Sequence, residues 1–329
     1  MEISRRRLLH LAAGAAALPT WPLAASAEAY PSRPIKLVVP YSPGGVMDAV
    51  GRPWADRITS PLGTVIIENI GGSGGDAGAV AVARARPDGY TILLANSSIM
   101  VINPIAGTHV AYDPVRSFEP VSTIAHAAQA IVINSGLPVH TLKELAEYAK
   151  RNPGKLSYGT PGVGTLNHLI GEHFKLLIGV SDIVHVPYRG AGPAIADLIG
   201  GQIPIAVAAV NGQLLAFHRA GKLRILAVTS PQRLMGAPEL PTVSEAGLPD
   251  LTSQATIWLF APNGTASGIV DRISRASATA LAEPQLRQLY VAAGVEPSSD
   301  ASPQTAMRAL HSEIAHWTPI IKQIGLRLD

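Results

Sequence analysis

The chain has 329 residues, 15% of them charged and 47% hydrophobic, with 31 Gly, 27 Pro and no Cys. At roughly 100–200 residues per domain, this is enough for two packed units, and the apolar content with a net charge of only +3 argues against disorder. Arg5, Arg6, Arg7 and Glu2 supply +2 of that charge within residues 1–27, leaving 3 − 2 = +1 and no electrostatic footprint for nucleic acid.

Residues 1–27 read as an export signal. A basic start (Ser4, Arg5, Arg6, Arg7) precedes an apolar stretch from Leu8 to Leu18, and Ala25-Ser26-Ala27 offers small residues for cleavage. The apolar run is shorter than the about 20 residues that cross a bilayer. Twin arginines followed by Leu8-Leu9 point to the Tat route, although a Sec signal has a similar outline. Without Cys there is neither a lipobox nor a disulfide, so the expected product is a periplasmic protein of 329 − 27 = 302 residues, not a lipoprotein.

After Tyr30, short β-branched runs alternate with helix-length segments. The runs are Ile35–Val39, Val65–Glu68, Thr91–Ala95, Ala130–Ile133, Leu156–Tyr158, Ile183–Val186, Ile203–Ala208, Leu223–Val228 and Thr256–Phe260. Several are continuously apolar, as strands covered on both faces are. Segments such as Leu142–Lys150, Thr165–Leu177 and Pro193–Ile199 read as helices, which makes a βαβ pattern and an α/β sheet. The last part, Ala266–Ala282, Pro284–Ala293 and Pro303–Ile324, reads as three successive helices that pack over a lobe rather than add a sheet. A short internal echo links Val39–Gly45 to Val186–Gly192. Each is a strand end, Val-Pro-Tyr, a glycine loop and then a helix, 147 positions apart.

Four glycine-rich stretches follow strands: Ser42–Gly45, Gly71–Gly78, Gly159–Thr165 and Arg189–Gly192. A helix that begins there exposes unpaired N–H groups and its positive dipole end, and glycine lets a carboxylate or phosphate approach; tight turns alone would look the same. Dinucleotide binding fits poorly. Gly72–Ala77 loosely matches a glycine fingerprint, but the acid expected about 20 positions on is missing. His168 and His173 lie five apart, off one helix face, and read as structural. No Ser sits in a Gly-x-Ser-x-Gly elbow, and Asp48 is most simply a first-turn acid. These residues point to binding rather than catalysis, with no metal and no cofactor.

Together the motifs resemble the periplasmic receptors of tripartite tricarboxylate transporters, the Bug family. The similarity runs from Tyr30-Pro31-Ser32-Arg33-Pro34-Ile35 and Val39–Asp48 through Glu68-Asn69 with Gly71–Gly75 and Pro87–Thr91. It continues with Asn152–Leu156, Gly162–Thr165 with His168, Val186–Gly190, Gly221–Arg224 and Leu240–Val243 with Glu245-Ala246-Gly247. The resemblance implies a two-lobe, Venus-flytrap (type II-like) α/β fold with a cleft between lobes. The implied division is a cleaved segment 1–27, lobe one at 28–127, lobe two at 128–254, and a return to lobe one at 255–329.

Carried onto this chain, the family's grip on a small (di)carboxylate uses Tyr41, Ser42, Gly44, Gly45 and Asp48 from lobe one. From lobe two it uses Thr160, Gly162, Gly164, Thr165, Tyr188 and Arg189, with Ser97 and Ser98 as additions at a strand end. Arg189 pairing with a local acid on the surface is an equal alternative. The partners implied are integral-membrane transporter subunits, with the receptor itself a monomer. Two departures matter. The stretch Pro204–Ala209 holds no acid where the family commonly has them, and Thr256 and Trp258 stand where Trp and Gly are usual. The first predicts a ligand without an amino group. Two rival readings remain at this level: a sensor subunit serving a histidine kinase, and an α/β oxidoreductase.

Overall fold

The computed structural model describes residues 30–107 and 110–328, so the export segment at 1–27 lies outside the described residues. The first half alternates strands and helices: β1 (Ile35–Val39), α1 (Val46–Leu62), β2 (Val65–Asn69), α2 (Asp76–Ala83) and β3 (Thr91–Asn96). A π-helical turn at Ser98–Ile102 runs into the short α3 (Asn103–Ala106), and β4 (Phe118–Asn134) follows. The middle contains α4 (Leu142–Arg151), β5 (Ser157–Thr160), α5 (Leu166–Ile178), β6 (Val184–Pro187), α6 (Ala191–Ile199), β7 (Ile205–Ala209), α7 (Gly212–Arg219) and β8 (Leu223–Val228). The chain ends with β9 (Gln254–Pro262), α8 (Ser267–Ala282), α9 (Pro284–Ala292), β10 (Val295–Pro297) and α10 (Pro303–Ile324).

The sheet runs β2-β1-β3-β9-β4-β7-β5-β6, with β8 and β10 also pairing to β4. The seventeen-residue β4 is its spine. Residues 118–128 pair antiparallel with β9, whereas 129–133 pair antiparallel with β7, so β4 changes partners between Ala128 and Gln129. Register shifts between Pro120 and Ser122 and between Thr123 and Ala125 bend the strand, as bulges do.

These pairings fix the direction of every strand end. β1, β2 and β3 are mutually parallel, and β3 opposes β9, which opposes β4; their C-termini therefore point along β4 toward its second half. β5, β6 and β7 are mutually parallel, and β7 opposes β4, so their C-termini point back toward its first half. Two sets of strand-end loops thus face one another across the point where β4 changes partners. Ligands bind at such carboxyl ends in open α/β sheets.

Burial explains why the strands read as apolar runs. Ile131 and Ile133 of β4, with Ile205 and Val207 of β7, pack into one core cluster; Ala130, Val132, Ala206 and Ala208 pack into another. Alternate side chains enter opposite layers, and both layers are covered by helices. The C-terminal helices return to the first half. Trp54 of α1 is fully buried and donates its indole N–H to Ser277 Oγ of α8 at 3.2 Å, and Tyr290 of α9 donates to the Val50 carbonyl at 2.9 Å. This region adds no sheet of its own, but between its helices β10 joins the existing one, its three residues pairing with β4 at Ala125–Ala127. A three-residue strand carries too little pattern to be read beside long amphipathic helices.

Candidate functional site

The β1–α1 loop is held from beneath by Asp48. The Asp48 carboxylate accepts the Gly44 N–H at 2.6 Å, Asn69 Nδ2 at 3.1 Å and an Arg52 guanidinium nitrogen at 3.3 Å. Asn69 also donates to the Tyr41 carbonyl at 2.9 Å, which ties β2 to the same loop. Burial opposes ionisation of Asp48, but Asn69, the Gly44 amide and Arg52 outweigh it and hold the carboxyl below its ordinary range. Asp48 is 6% exposed, while Ser42, Gly44 and Gly45 are exposed. Asp48 therefore shapes the loop from beneath and leaves those three residues on its surface. Gly44 takes φ +92°, a left-handed turn that favours glycine. Tyr41 donates to Asn96 Oδ1 at 3.2 Å, and its half-buried ring abuts Gly75 instead of standing free.

Across the sheet, the β5–α5 loop is closed on itself. Thr165 caps α5 by accepting the His168 N–H at 3.3 Å and donates to the Gly162 carbonyl at 2.8 Å. The Gly162 amide donates to Thr160 Oγ1 at 3.3 Å, and the Gly164 amide to His168 Nδ1 at 3.3 Å. Gly164 is buried by Leu328, whose methyls occupy the space a Cβ would need. Asn167 donates to Gln129 Oε1 at 2.6 Å, anchoring α5 at the partner switch of β4. In the β6–α6 loop, Tyr188 donates to Asp197 Oδ2 at 2.8 Å and lies over Gly159, so its ring packs against its own half. Arg189 is exposed, and among the described residues no ion pair includes it.

The two echo segments now acquire a common consequence. α1 follows Gly45 and α6 follows Gly190, and neither start is capped by a side chain. α5 and α7, by contrast, are capped by Thr165 and Asn211. Uncapped first-turn N–H groups at a dipole's positive end receive anions, and these two starts lie on opposite sides of the β4 switch. Sequence reasoning gave no role to Asn69, Arg52, Asn96 or His185, whose Nε2 meets Thr160 Oγ1 at 2.7 Å. Arg52 was recoverable from its i,i+4 spacing to Asp48; the others act through tertiary contacts.

Ser97 and Ser98 do not share a role. Ser97 is fully buried, its Oγ accepting the Thr256 N–H at 2.9 Å, while Ser98 is half-buried and opens the π-helical turn. Behind Ser97, Thr256 Oγ1 donates to Glu313 Oε1 of α10, and Glu313 Oε2 is buried without a hydrogen-bond partner among the described residues. Burial pushes the Glu313 carboxyl from 4.5 up to about 7, against the pull of Ser97 and Thr256. A raised carboxyl favours the protonated fold, so stability falls as pH rises from about 4.5 through 7. Glu313→Gln is therefore expected to stabilise by about 1–2 kcal/mol at pH 8, discounted because the residue as a whole is half-buried, and by almost nothing at pH 4.5. Melting both proteins at the two pH values checks this, and an equal shift at both would refute it.

The fold and its facing anion-receptive loops define a two-lobe α/β solute receptor, and the comparisons agree. The profile of the tripartite tricarboxylate transporter family receptor matches residues 50–326. A protein encoded between tcbD and tcbE of Pseudomonas sp. strain P51 is 35% identical over 331 residues, covering 100% of this chain and 97% of that one. BugT of Bordetella pertussis is 32% identical over 305 residues, covering 92% and 93%. Among solved structures, the periplasmic binding protein BugD matches with TM-score 0.78 at 33% identity, covering 91% and 99%. Rpa4515 of R. palustris with adipate matches at 0.81 and 32%, covering 91% and 99%. MatC of Rhodopseudomonas palustris with bound malate matches at 0.78 and 27%, covering 89% and 100%.

The chain belongs to the tripartite tricarboxylate transporter receptor family. Its role is that of a solute receptor in a family of periplasmic binding proteins that serve membrane transporters, and the sensor alternative is not favoured. No helix among the described residues is long and apolar enough to cross a membrane.

Proposed function

We propose that this receptor captures a small organic dicarboxylate in the periplasm, without chemical conversion, and delivers it to integral-membrane transporter subunits. The observation that carries the reading is that strands pointing toward the β4 switch from opposite directions lead into helix starts without a side-chain cap, at Val46 and at Ala191. Each offers a site for one carboxylate, so a dicarboxylate bridges the two halves and draws them together, closure following from its greater affinity for the closed state. The change of partners between Ala128 and Gln129 supports a lobe boundary near 127–128, with residues 128–254 as lobe two and β9 leading back into lobe one. Ser42, Gly44 and Gly45 would contact the ligand from lobe one, and Thr165, Arg189 and the Gly190–Ala191 turn from lobe two. Tyr41, Asp48, Thr160, Gly162, Gly164 and Tyr188 would shape those loops.

The ligand is proposed to lack an amino group. Asp48 is the only acid among the candidate residues, and Gly44, Arg52 and Asn69 between them engage both its oxygens. Adipate, bound by Rpa4515, and malate, bound by MatC, are the first candidates. Thermal melting of the mature protein with adipate, malate, citrate, benzoate, aspartate and glutamate tests this. A ligand at a hundredfold excess over its Kd adds about 2.7 kcal/mol of stability. A response to one class of non-amino carboxylates is expected. Tight aspartate binding without that response would remove the amino-group inference, and a flat panel with folded, ligand-free protein would remove the carboxylate reading.

A further inference from the structure

Beneath the β5–α5 loop lies a stack of rings that the ligand reading leaves unused. His168 of α5 and His185 of β6 are face to face, with centroids 3.9 Å apart and planes 12° from parallel. Tyr158 of β5 continues the stack at 4.9 Å and 29° from His185. Each histidine ends on the loop. His168 Nδ1 meets the Gly164 amide at 3.3 Å, and His185 Nε2 meets Thr160 Oγ1 at 2.7 Å, an oxygen that also engages the Gly162 amide and carbonyl. The pair therefore grips the loop at its first residue and again just before the Thr165 cap of α5.

We infer that His168 and His185 are positioning residues that hold the 160–165 loop in its ligand-receiving shape only while both imidazoles are uncharged. The inference rests on the carboxylate reading for what the loop receives, but the geometry stands by itself. A backbone amide always donates, so the Gly164 N–H requires a bare lone pair on His168 Nδ1 and places the neutral ring's proton on Nε2. A proton added to Nδ1 would point one donor at another and release Gly164. Charge on either ring would also sit 3.9 Å from its stacked neighbour, and two cations there repel.

The groups that face the stack do not neutralise that charge freely. From α5, the Glu172 carboxylate is committed to Lys175 Nζ at 2.9 Å on both oxygens and to the Tyr158 hydroxyl at 2.6 Å. Tyr158 is the titratable group from β5, and Leu328 lies against Gly164. In keeping with this, burial and then the neighbouring His168 pull His185 down to about 4. Burial, aided by Lys175 against Glu172, lowers His168 as well. Both rings are therefore neutral at pH 7 and accept protons only in acid.

The test is heteronuclear NMR of the mature protein from pH 7.5 to 4, alongside adipate titrations of the protein and of His168→Leu and His168→Asn. At pH 7.5, His168 Nδ1 should show the shift of an unprotonated ring nitrogen, and the Gly164 amide should move as the imidazoles titrate. Adipate should bind about tenfold more weakly to His168→Leu at pH 7.5, the loss of one buried hydrogen bond with its partner left unpaired, and with a flatter acid profile. His168→Asn, whose side-chain oxygen still accepts an N–H, should recover most of that affinity. A Gly164 amide that ignores imidazole titration, or a His168→Leu variant with wild-type affinity and pH profile, overturns the inference. If adipate binds at no pH, the carboxylate reading is what has failed for this probe, and the Gly164 titration alone then decides the positioning role.

Discussion

Asp48→Ala is expected to destabilise the protein by about 2–3 kcal/mol and to weaken dicarboxylate binding by roughly thirtyfold. The carboxylate is nearly buried and is the shared acceptor for the Gly44 amide, Asn69 and Arg52, so its removal leaves three donors without their common partner. Asn69 keeps the Tyr41 carbonyl and Arg52 keeps Asn69 Oδ1, which is why the cost stays well below three separate charged hydrogen bonds. What the loop loses is the tie at Gly44, in the turn just before the uncapped start of α1. Asp48→Asn retains one acceptor and should fall between the two. Since hydrogen bonding holds the Asp48 carboxyl below its ordinary value of 3.8, its contribution is complete above that pH and disappears as the pH falls through the folded-state value. The stability difference between wild type and Asp48→Ala should therefore persist at pH 5. Melting and calorimetric titration with the responding carboxylate measure both effects. Lowered stability with unchanged affinity would separate Asp48 from the site.

Trp54→Ala should cost about 3–5 kcal/mol, the range for emptying an aromatic site in a packed core. Trp54 has no exposed surface, and its indole N–H is bonded to Ser277 on α8, 223 residues away in the chain. The site lies where α1 is clamped by α8 and α9, and Tyr290 secures the same helix at the Val50 carbonyl. The substitution thus tests whether the C-terminal helices complete the first half of the fold. Trp54→Phe, which keeps most of the volume and gives up the hydrogen bond, should lose much less. A chemical denaturation series with both variants gives the values, and a loss under 1 kcal/mol for Trp54→Ala would mean that this contact is not part of the stable core.

Local pattern made much of the architecture legible. β1 and β8 fall on the same residues that the apolar runs mark, and α4, α5 and the three C-terminal helices begin or end within one residue of their expected bounds. The departures have a common cause. β4 reads as Ala130–Ile133 because only that part is an unbroken aliphatic run; the preceding Phe118–Ala128 carries Pro120, Ser122, Thr123 and His126, which enter the strand because β9 and β10 flank them. Partners supplied from residues 254–262 and 295–297 override a weak local preference.

The candidate site divides in the same way. Its glycine loops, Asp48 and the paired Val-Pro-Tyr segments were visible because they are local and repeat a recognisable strand-to-helix turn. Their division of labour was not. A residue at the right place in the motif can turn toward the ligand, as Ser42 and Arg189 are free to do, or turn inward, as Tyr188 does toward Asp197 and Ser97 toward Thr256. Glu313 lies 216 positions from Ser97 (313 − 97), and Thr256 bonds to both.

From the sequence alone came the class of element, the order of strands and helices, the glycine loops that can receive an anion, and the family, because these depend on residue type and spacing along the chain. The tertiary structure decided which strand ends face each other, which helix starts remain uncapped, and which polar side chains hold the loops. Those outcomes depend on strand direction and on partners up to 240 residues apart, where spacing along the chain carries no information.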